Sequence, residues 1–253
     1  MIESFHDWCL NPKRETLVMG IVNVTPDSFS DGGKFYSPEV AVSHASKLIT
    51  QGADIIDIGG ESTRPGAKLV SESEELKRVI PVIEKIRTDN PKILISIDTT
   101  KASVAKYAVE AGADIINDVS GLSFDKDMAG IVESLNVPIV IMHMKGNPQN
   151  MQLNPKYKNV LLDIYDFFEK KIKLLRNIGI KHHNIILDPG IGFGKNLKHN
   201  ITILRNISIY HSLGLPILLG ISRKRFIKDL SKNNDSLTRI GGTTSTSIFA
   251  MMN

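Results

Sequence analysis

One pentapeptide occurs twice. Gly52-Ala53-Asp54-Ile55-Ile56 returns as Gly112-Ala113-Asp114-Ile115-Ile116, sixty residues later. Each copy ends a helical segment on a glycine and runs directly into an apolar strand. Sixty residues hold two strand–helix units of the size found in α/β barrels. A chain that repeats itself in this way is building parallel strands joined by helices.

The rest of the sequence keeps the rhythm. Apolar runs predict strands at 17–24, 54–58, 93–98, 115–119, 138–142, 184–187 and 216–221. Helical spacing predicts helices at about 38–51, 72–87, 101–111, 126–135, 156–178 and 197–213, the first capped by Ser37 with Pro38 at its first position. Strand alternating with helix implies right-handed βαβ units. Seven such strands favour a TIM (β/α)8-type barrel over a doubly wound sheet. One more helix, at about 239–252, follows the seventh strand, and no eighth strand precedes Asn253. A seven-stranded barrel carries a seam of unpaired backbone groups. No linker or low-complexity segment interrupts the chain, so 1–253 reads as a single domain. Residues 1–16 form an N-terminal arm or a plug over one end of the barrel.

Composition narrows the function. Lys and Arg number 31 against 27 Asp and Glu, a formal charge of +4. That suits an anionic small molecule, and the chain shows no basic stripe with interleaved aromatics for nucleic acid. The single cysteine, Cys9, excludes an internal disulfide and fits a reducing compartment. No apolar run approaches the roughly 18 residues that span a bilayer, and the N-terminal residues, with Glu3, His6 and Asp7, hold no apolar core of secretory length. The expectation is a soluble cytoplasmic protein without membrane or nucleic-acid partners.

In barrels the functional groups gather where strands end. Here those ends carry Asn23, Asp57, Asp98, Asn117, His143, Asp188, and Ser222 with Lys224. Each has an ordinary reading: Asp98 as a helix cap, Asn117 and Asp188 as turn formers, Asp57 as a brace between loops, His143 as a packed wall residue. Coincidence at all seven ends is much harder to accept. Inward acids and an amide can hydrogen-bond a flat heterocycle, and a buried carboxylate beside ring N–H groups makes short charge-assisted bonds. Lys224 can meet a ring carbonyl or an anion. No Ser/His/Asp arrangement, HExxH or paired-cysteine metal site is present. Mg²⁺ held by Asn23 and substrate oxygens fits a cation that keeps most of its waters.

Two glycine-rich polar loops, 25–33 with Phe29 and 59–66 with Thr63, Arg64 and Pro65, follow the first two strands and suit a barrel mouth. Arg64 suits a pyrophosphate. The stretch Asp188-Pro189-Gly190-Ile191-Gly192-Phe193-Gly194-Lys195 fails both common phosphate-loop patterns, with Lys195 where the dinucleotide pattern needs glycine and Pro189 and Asn196 where a P-loop needs Gly and Ser or Thr.

These segments together resemble dihydropteroate synthase, a pterin-binding family of the folate pathway. The resemblance rests on Gly20-Ile21-Val22-Asn23-Val24-Thr25-Pro26-Asp27-Ser28-Phe29-Ser30-Asp31-Gly32-Gly33, Asp57-Ile58-Gly59-Gly60-Glu61-Ser62-Thr63-Arg64-Pro65-Gly66, Ser96-Ile97-Asp98-Thr99, Ile116-Asn117-Asp118-Val119-Ser120-Gly121, Met142-His143-Met144-Lys145-Gly146, the 187–195 stretch and Gly220-Ile221-Ser222-Arg223-Lys224. It implies a transferase that joins 6-hydroxymethyl-7,8-dihydropterin diphosphate to para-aminobenzoate, giving 7,8-dihydropteroate and pyrophosphate, with Mg²⁺ as cofactor.

Position by position, the resemblance assigns Asp98, Asn117, Asp188 and Lys224 to the pterin, with Val119, Met142, Phe193 and Gly220 as its apolar walls. It assigns Asn23 to Mg²⁺, Thr63 and Arg64 to the second loop, and Phe29, Pro65 and Ser222 to the aminobenzoate. Asp98, Lys224 and Arg64 are the catalytic candidates, and Glu75, read as lying on an outer helix, is the contrasting residue that pterin binding should ignore. The family's eighth strand brings an arginine and a histidine to the diphosphate, and this sequence ends before it. The family's dimer leans on its last helices, which makes a homodimer the implied assembly. Two other readings are an impaired or truncated pterin-binding protein and a methyltetrahydrofolate-dependent methyltransferase, which shares the barrel. The two aminobenzoate-side loops argue against the latter.

Overall fold

Six parallel strands form one sheet in strictly sequential order. They are β1 (Met19–Asn23), β2 (Ile55–Gly59), β3 (Leu94–Asp98), β4 (Ile115–Asp118), β5 (Ile139–Met142) and β6 (Ile185–Asp188). A doubly wound sheet reverses its strand order at a switch point, and this one never does. The computed structural model describes residues 5–11, 13–25, 38–62, 67–147, 150–231 and 239–253. The helices are α1 (Phe5–Leu10), α2 (Pro38–Thr50), α3 (Glu72–Asp89), α4 (Ala102–Glu110), α5 (Met128–Leu135), α6 (Val160–Asn177), α7 (Leu197–Arg205), α8 (Arg225–Ser231) and α9 (Ile240–Met251). The Ser37 cap lies outside the described residues.

Alternation along the strands sorts the core into two parts. Ile56, Ile58, Ile95, Ile97, Ile116, Ile139, Ile141, Ile185 and Leu187 face outward and pack with the helices in the large core. Ile55, Ile115, Val140 and Ile186 form a second cluster with Phe5, Leu17, Met19, Leu94 and Leu218. Contact among residues of β1 through β6 on one face requires the sheet to curl into a barrel wall. Phe5 brings α1 to the foot of that interior, as a plug would. Cys9 on α1 is buried, and burial pushes its thiol up to about 11, so it stays protonated at neutral pH.

The repeated pentapeptide has a structural meaning. Gly52 and Gly112 take φ of +97° and +118°, ending α2 and α4. Asp54 then accepts the Val18 N–H at 2.8 Å, and Asp114 accepts the Ile95 N–H at 2.8 Å. In both copies the aspartate ties the start of its own strand to the start of the preceding one.

Most predicted elements form, with local corrections. Residues 197–213 are not one helix: α7 stops at Arg205 and a 3₁₀ segment covers Ile207–Leu213. Asn206 breaks it, leaving helical geometry while its side chain donates to the Thr202 carbonyl at 2.8 Å. Asn159 caps α6, so that helix begins at Val160 and not near residue 156. The expected seventh strand pairs only briefly. The Leu187 N–H donates to Pro216 O at 2.9 Å, and the Leu218 N–H donates to Leu187 O at 2.8 Å. The contact is a single parallel bridge, Leu187 to Ile217, where β5 pairs with all four residues of β6. The barrel is open. Among the described residues nothing pairs with the far edge of β1, where Val18 and Ile21 are 59% and 48% exposed.

Candidate active site

Backbone register decides which strand-end groups share a face. Asn23 lies opposite Gly59, Gly59 opposite Asp98, and Asp98 opposite Asn117. Met142 lies opposite Asp188. Register partners in a parallel sheet point the same way, and residues two apart along a strand do too. Asn23, Asp98, Asn117, Met142 and Asp188 therefore sit on the same inward face as Ile55, Ile115, Val140 and Ile186, one or two layers nearer the strands' C-terminal ends. Asp57 and Ser96, themselves register partners, lie between the two levels.

The β2–β4 side concentrates carboxylates. Asn117 donates its amide to both Asp57 oxygens, at 3.4 and 3.3 Å. Burial raises Asp57 to about 6, opposed by the Ser96 and Asn117 side chains. Asp98 is raised well above the usual carboxylate range, first by burial and then by the charges of Asp57, Glu75, Asp118 and Glu61. Asp118, also raised by burial, accepts the Ser120 and Leu122 N–H groups at 2.8 Å each. Cations stand at the edge of this cluster, with Lys171 pulling on Asp118. Lys101 reaches both Glu61 and Glu75 with its ammonium. Glu61 also accepts the Val70 N–H at 3.0 Å, and Arg78 donates to Gly60 O at 2.9 Å. The stem of the β2 loop is thereby fixed to α3 and α4.

The β6 side concentrates lysines. Asp188 accepts the Gly190 N–H at 2.7 Å. Its carboxyl is raised by burial, against the pull of Lys224, that N–H and Lys195. Lys224 donates to Ile191 O and lies 4.6 Å from the Phe193 ring centroid. Burial lowers it to about 8, with Asp188 holding it up. Lys195 is only 2% exposed and meets His143 Nδ1 at 3.0 Å, His143 O at 3.1 Å and Phe193 O at 2.9 Å. Burial lowers it to about 7. Gly190 makes this loop fit: at φ +68° its missing Cβ would stand 2.0 Å from His143 O. His143 packs edge-on to Phe167 at 5.0 Å, and burial holds its ring pKa down at about 3, keeping it neutral. It is a wall residue.

Of the residues singled out from sequence, Asp98, Asn117, Met142, Asp188 and Asn23 share the inward face. Val119 is buried at its edge; Phe193, Gly220 and Lys224 gather beside Asp188, and Ser222 is exposed. Phe29, Thr63, Arg64 and Pro65 lie outside the described residues.

Glu75 lies on the outer helix α3, as expected, but on the side of it that is fully buried, against Lys101. Its spacing to Val79, Val82, Ile83 and Ile86 already places it on the core stripe of α3. Sequence reasoning also passed over Lys195, Lys101 and Glu61. The side-chain partners of both lysines, His143 for Lys195 and Glu61 and Glu75 for Lys101, lie 26 to 52 residues away in sequence. Among the described residues no group of His, Cys, Asp or Glu is arranged as a resident metal centre.

Comparison with known proteins converges. The family model described as "Pterin binding enzyme" matches residues 19–253. The dihydropteroate synthase of Clostridium beijerinckii is 48% identical over 242 residues, covering 96% of this chain and 87% of that one. That of Bacillus subtilis is 52% identical over 218 residues, covering 86% and 74%. The solved Clostridium difficile dihydropteroate synthase, in the presence of pteroic acid, superposes with a TM-score of 0.87 at 44% identity, covering 94% of this chain and 87% of that one. The Xanthomonas albilineans enzyme in complex with 7,8-dihydropteroate gives 0.84 at 39%, covering 93% and 84%.

Proposed function

This chain belongs to the pterin-binding enzyme family and, within it, to the dihydropteroate synthases, and from that premise we propose how its own residues serve the reaction. The substrates are 6-hydroxymethyl-7,8-dihydropterin diphosphate and para-aminobenzoate. The carrying observation is the inward face shared by Asp98, Asn117 and Asp188, with Lys224 beside it. A pterin presents N–H donors on one edge and a carbonyl on another. Asp188 and Asn117 meet the donors and acceptors of the ring, Lys224 meets its carbonyl, and Met142, Val119, Phe193 and Gly220 form the walls.

In the transfer the aryl amine nitrogen forms a bond to the pterin methylene carbon. The carbon–oxygen bond to the diphosphate breaks, and the amine proton leaves to solvent. Positive charge develops on the methylene as that bond lengthens. Asp98 stabilises it electrostatically. Burial and then its neighbouring carboxylates favour the protonated acid, so a cationic partner is what draws out its charge. Arg64 and Thr63 take the diphosphate, and Phe29, Pro65 and Ser222 border the aminobenzoate.

Mg²⁺ fits this donor set as an ion that arrives with the diphosphate. Asn23 offers one amide oxygen on the inward face, and Mg²⁺ needs few protein ligands when phosphate oxygens and water supply the rest. When bound it neutralises diphosphate charge. A homodimer and a cytoplasmic setting belong to the same proposal. Exposed Ile240, Ile248, Phe249 and Met251 on α9 support the former, and the single cysteine the latter.

The decisive assay mixes the purified chain with pterin diphosphate, Mg²⁺ and para-aminobenzoate and follows pyrophosphate and dihydropteroate together. Release dependent on the aminobenzoate is expected. Pterin binding without release would leave a pterin-binding protein in place of an enzyme.

A further inference from the structure

Arg223, between Ser222 and Lys224, takes φ of +54°. That left-handed region is uncommon for a residue with a Cβ, and such backbone persists only where the surroundings over-determine it. Both polar groups of the Arg223 backbone are held from one helix. Its N–H donates to the Thr243 hydroxyl at 3.0 Å, and its carbonyl accepts from the Arg239 guanidinium at 3.0 Å. Arg239 precedes α9 and Thr243 lies in its first turn. Between them Gly242 lets α9 approach α8, since a Cβ there would stand 2.5 Å from Ile227 Cγ2. Other hydroxyls of α9 serve the helix itself: Ser245, Thr246 and Ser247 donate to carbonyls four residues back. The Thr243 hydroxyl reaches across to the turn.

The next residue is Lys224, whose ammonium meets Ile191 O over the Phe193 ring. Peptide geometry links the two: the left-handed residue sets the direction in which the chain enters Lys224, which leads directly into α8, its carbonyl accepting the Ile227 N–H at 3.1 Å. Were Arg223 to relax to a right-handed or extended conformation, the Lys224 stem would leave Gly220, where its Nζ now stands 3.3 Å from the position of a missing Cβ.

We propose that Thr243 and Arg239 are positioning residues for Lys224, holding the Arg223 turn that aims its ammonium at the pterin side of the site. This rests on the dihydropteroate synthase reading above. Both residues hold the Arg223 backbone, so their effect on pterin passes through Lys224.

The test is a double-mutant cycle between Thr243→Val and Arg223→Gly, read as the dissociation constant of pterin diphosphate by calorimetry, with the KM for aminobenzoate measured separately. Thr243→Val is expected to weaken pterin binding about five- to tenfold, the range of one hydrogen bond. The KM for aminobenzoate and the melting temperature should move much less. Thr243→Ser keeps the hydroxyl and should bind normally, and Thr246→Val should change nothing. Glycine adopts the left-handed region freely, so in the Arg223→Gly background Thr243→Val should cost less than about twofold, a coupling that a merely structural role would not produce. Wild-type binding by Thr243→Val, or an equal loss in both backgrounds, overturns the proposal. If Thr243→Val does not fold, Arg239→Met runs the same cycle. A wild-type chain that binds no pterin, with Lys224→Ala indistinguishable from it, sinks the underlying reading and the proposal with it. Pterin binding that depends on Lys224 but ignores Thr243 and Arg239 sinks the proposal alone.

Discussion

The two sides of the barrel mouth bury charge of opposite sign. On β2–β4, Asp57, Asp98 and Asp118 crowd together, and burial raises all three. On the β6 side, Lys195 and Lys224 flank Asp188, and burial lowers both lysines to near neutrality. Each side buries an excess of one sign, and uncompensated buried charge costs several kcal/mol. A ligand with donors toward one side and an acceptor toward the other relieves both. The difference between the sides also separates tasks. The lysine side holds its charges near a balance point, suited to binding. The acid side holds Asp98 well above the usual carboxylate range, which suits the proposed part of Asp98 in the bond-breaking step.

The largest expected effect comes from removing the centre of the lysine side. Asp188→Ala leaves two buried lysines without their carboxylate and removes the proposed ligand contact, so pterin affinity should fall by at least about a hundredfold. Normal binding by this variant in a titration would break the division at its root. On the acid side the comparable change concerns stability. Lys101→Met strands Glu61 and Glu75 together, and urea denaturation should show a loss of roughly 3 kcal/mol. An unchanged midpoint would mean that the cluster does not need its cation.

A smaller effect tests the raised acid. Asp57 titrates near 6 in the folded chain, against 3.8 for the free group. Its folded-state pKa is raised, so its contribution to stability is fully present below the unfolded value and lost as pH rises through the folded one. Asp57→Asn removes that loss. Its stability relative to wild type should therefore improve by roughly 2 kcal/mol between pH 4 and pH 7. A pH-independent difference between the two melting curves would contradict the raised acid.

The smallest effect belongs to Lys224. Its pKa is lowered from 10.5 to about 8, so the ammonium is lost as pH climbs past that value. Pterin affinity should fall up to about tenfold from pH 7 to pH 9, a slope of one proton. Lys224→Met should bind more weakly and lose this slope. A wild-type profile flat to pH 10 would place the lysine in ordinary solvent-like surroundings.

Much of the fold was legible because its signals are local. Apolar runs marked the six strands, the glycine-terminated helices marked the units, and the polar residues at strand ends marked one face. The placement of Asp98, Asn117 and Asp188 followed from counting along strands whose side chains alternate. Local signals misjudged what depends on neighbours. Glu75 reads only as part of an outer helix until the fold sets it against Lys101, and residues 216–221 read as a full strand where a single bridge, Leu187 to Ile217, forms.

The sequence by itself determined the order of strands and helices, the inward row of polar ends and the family to which they belong, since each is written within a few residues of chain. Tertiary structure alone decided which charges meet. The pairing of Lys101 with Glu61 and Glu75, of Lys195 with His143, and of Thr243 with the Arg223 turn joins residues 20 to 52 positions apart. Burial strengthens such contacts and shifts their protonation, and burial is a property of the packed barrel that no stretch of sequence carries by itself.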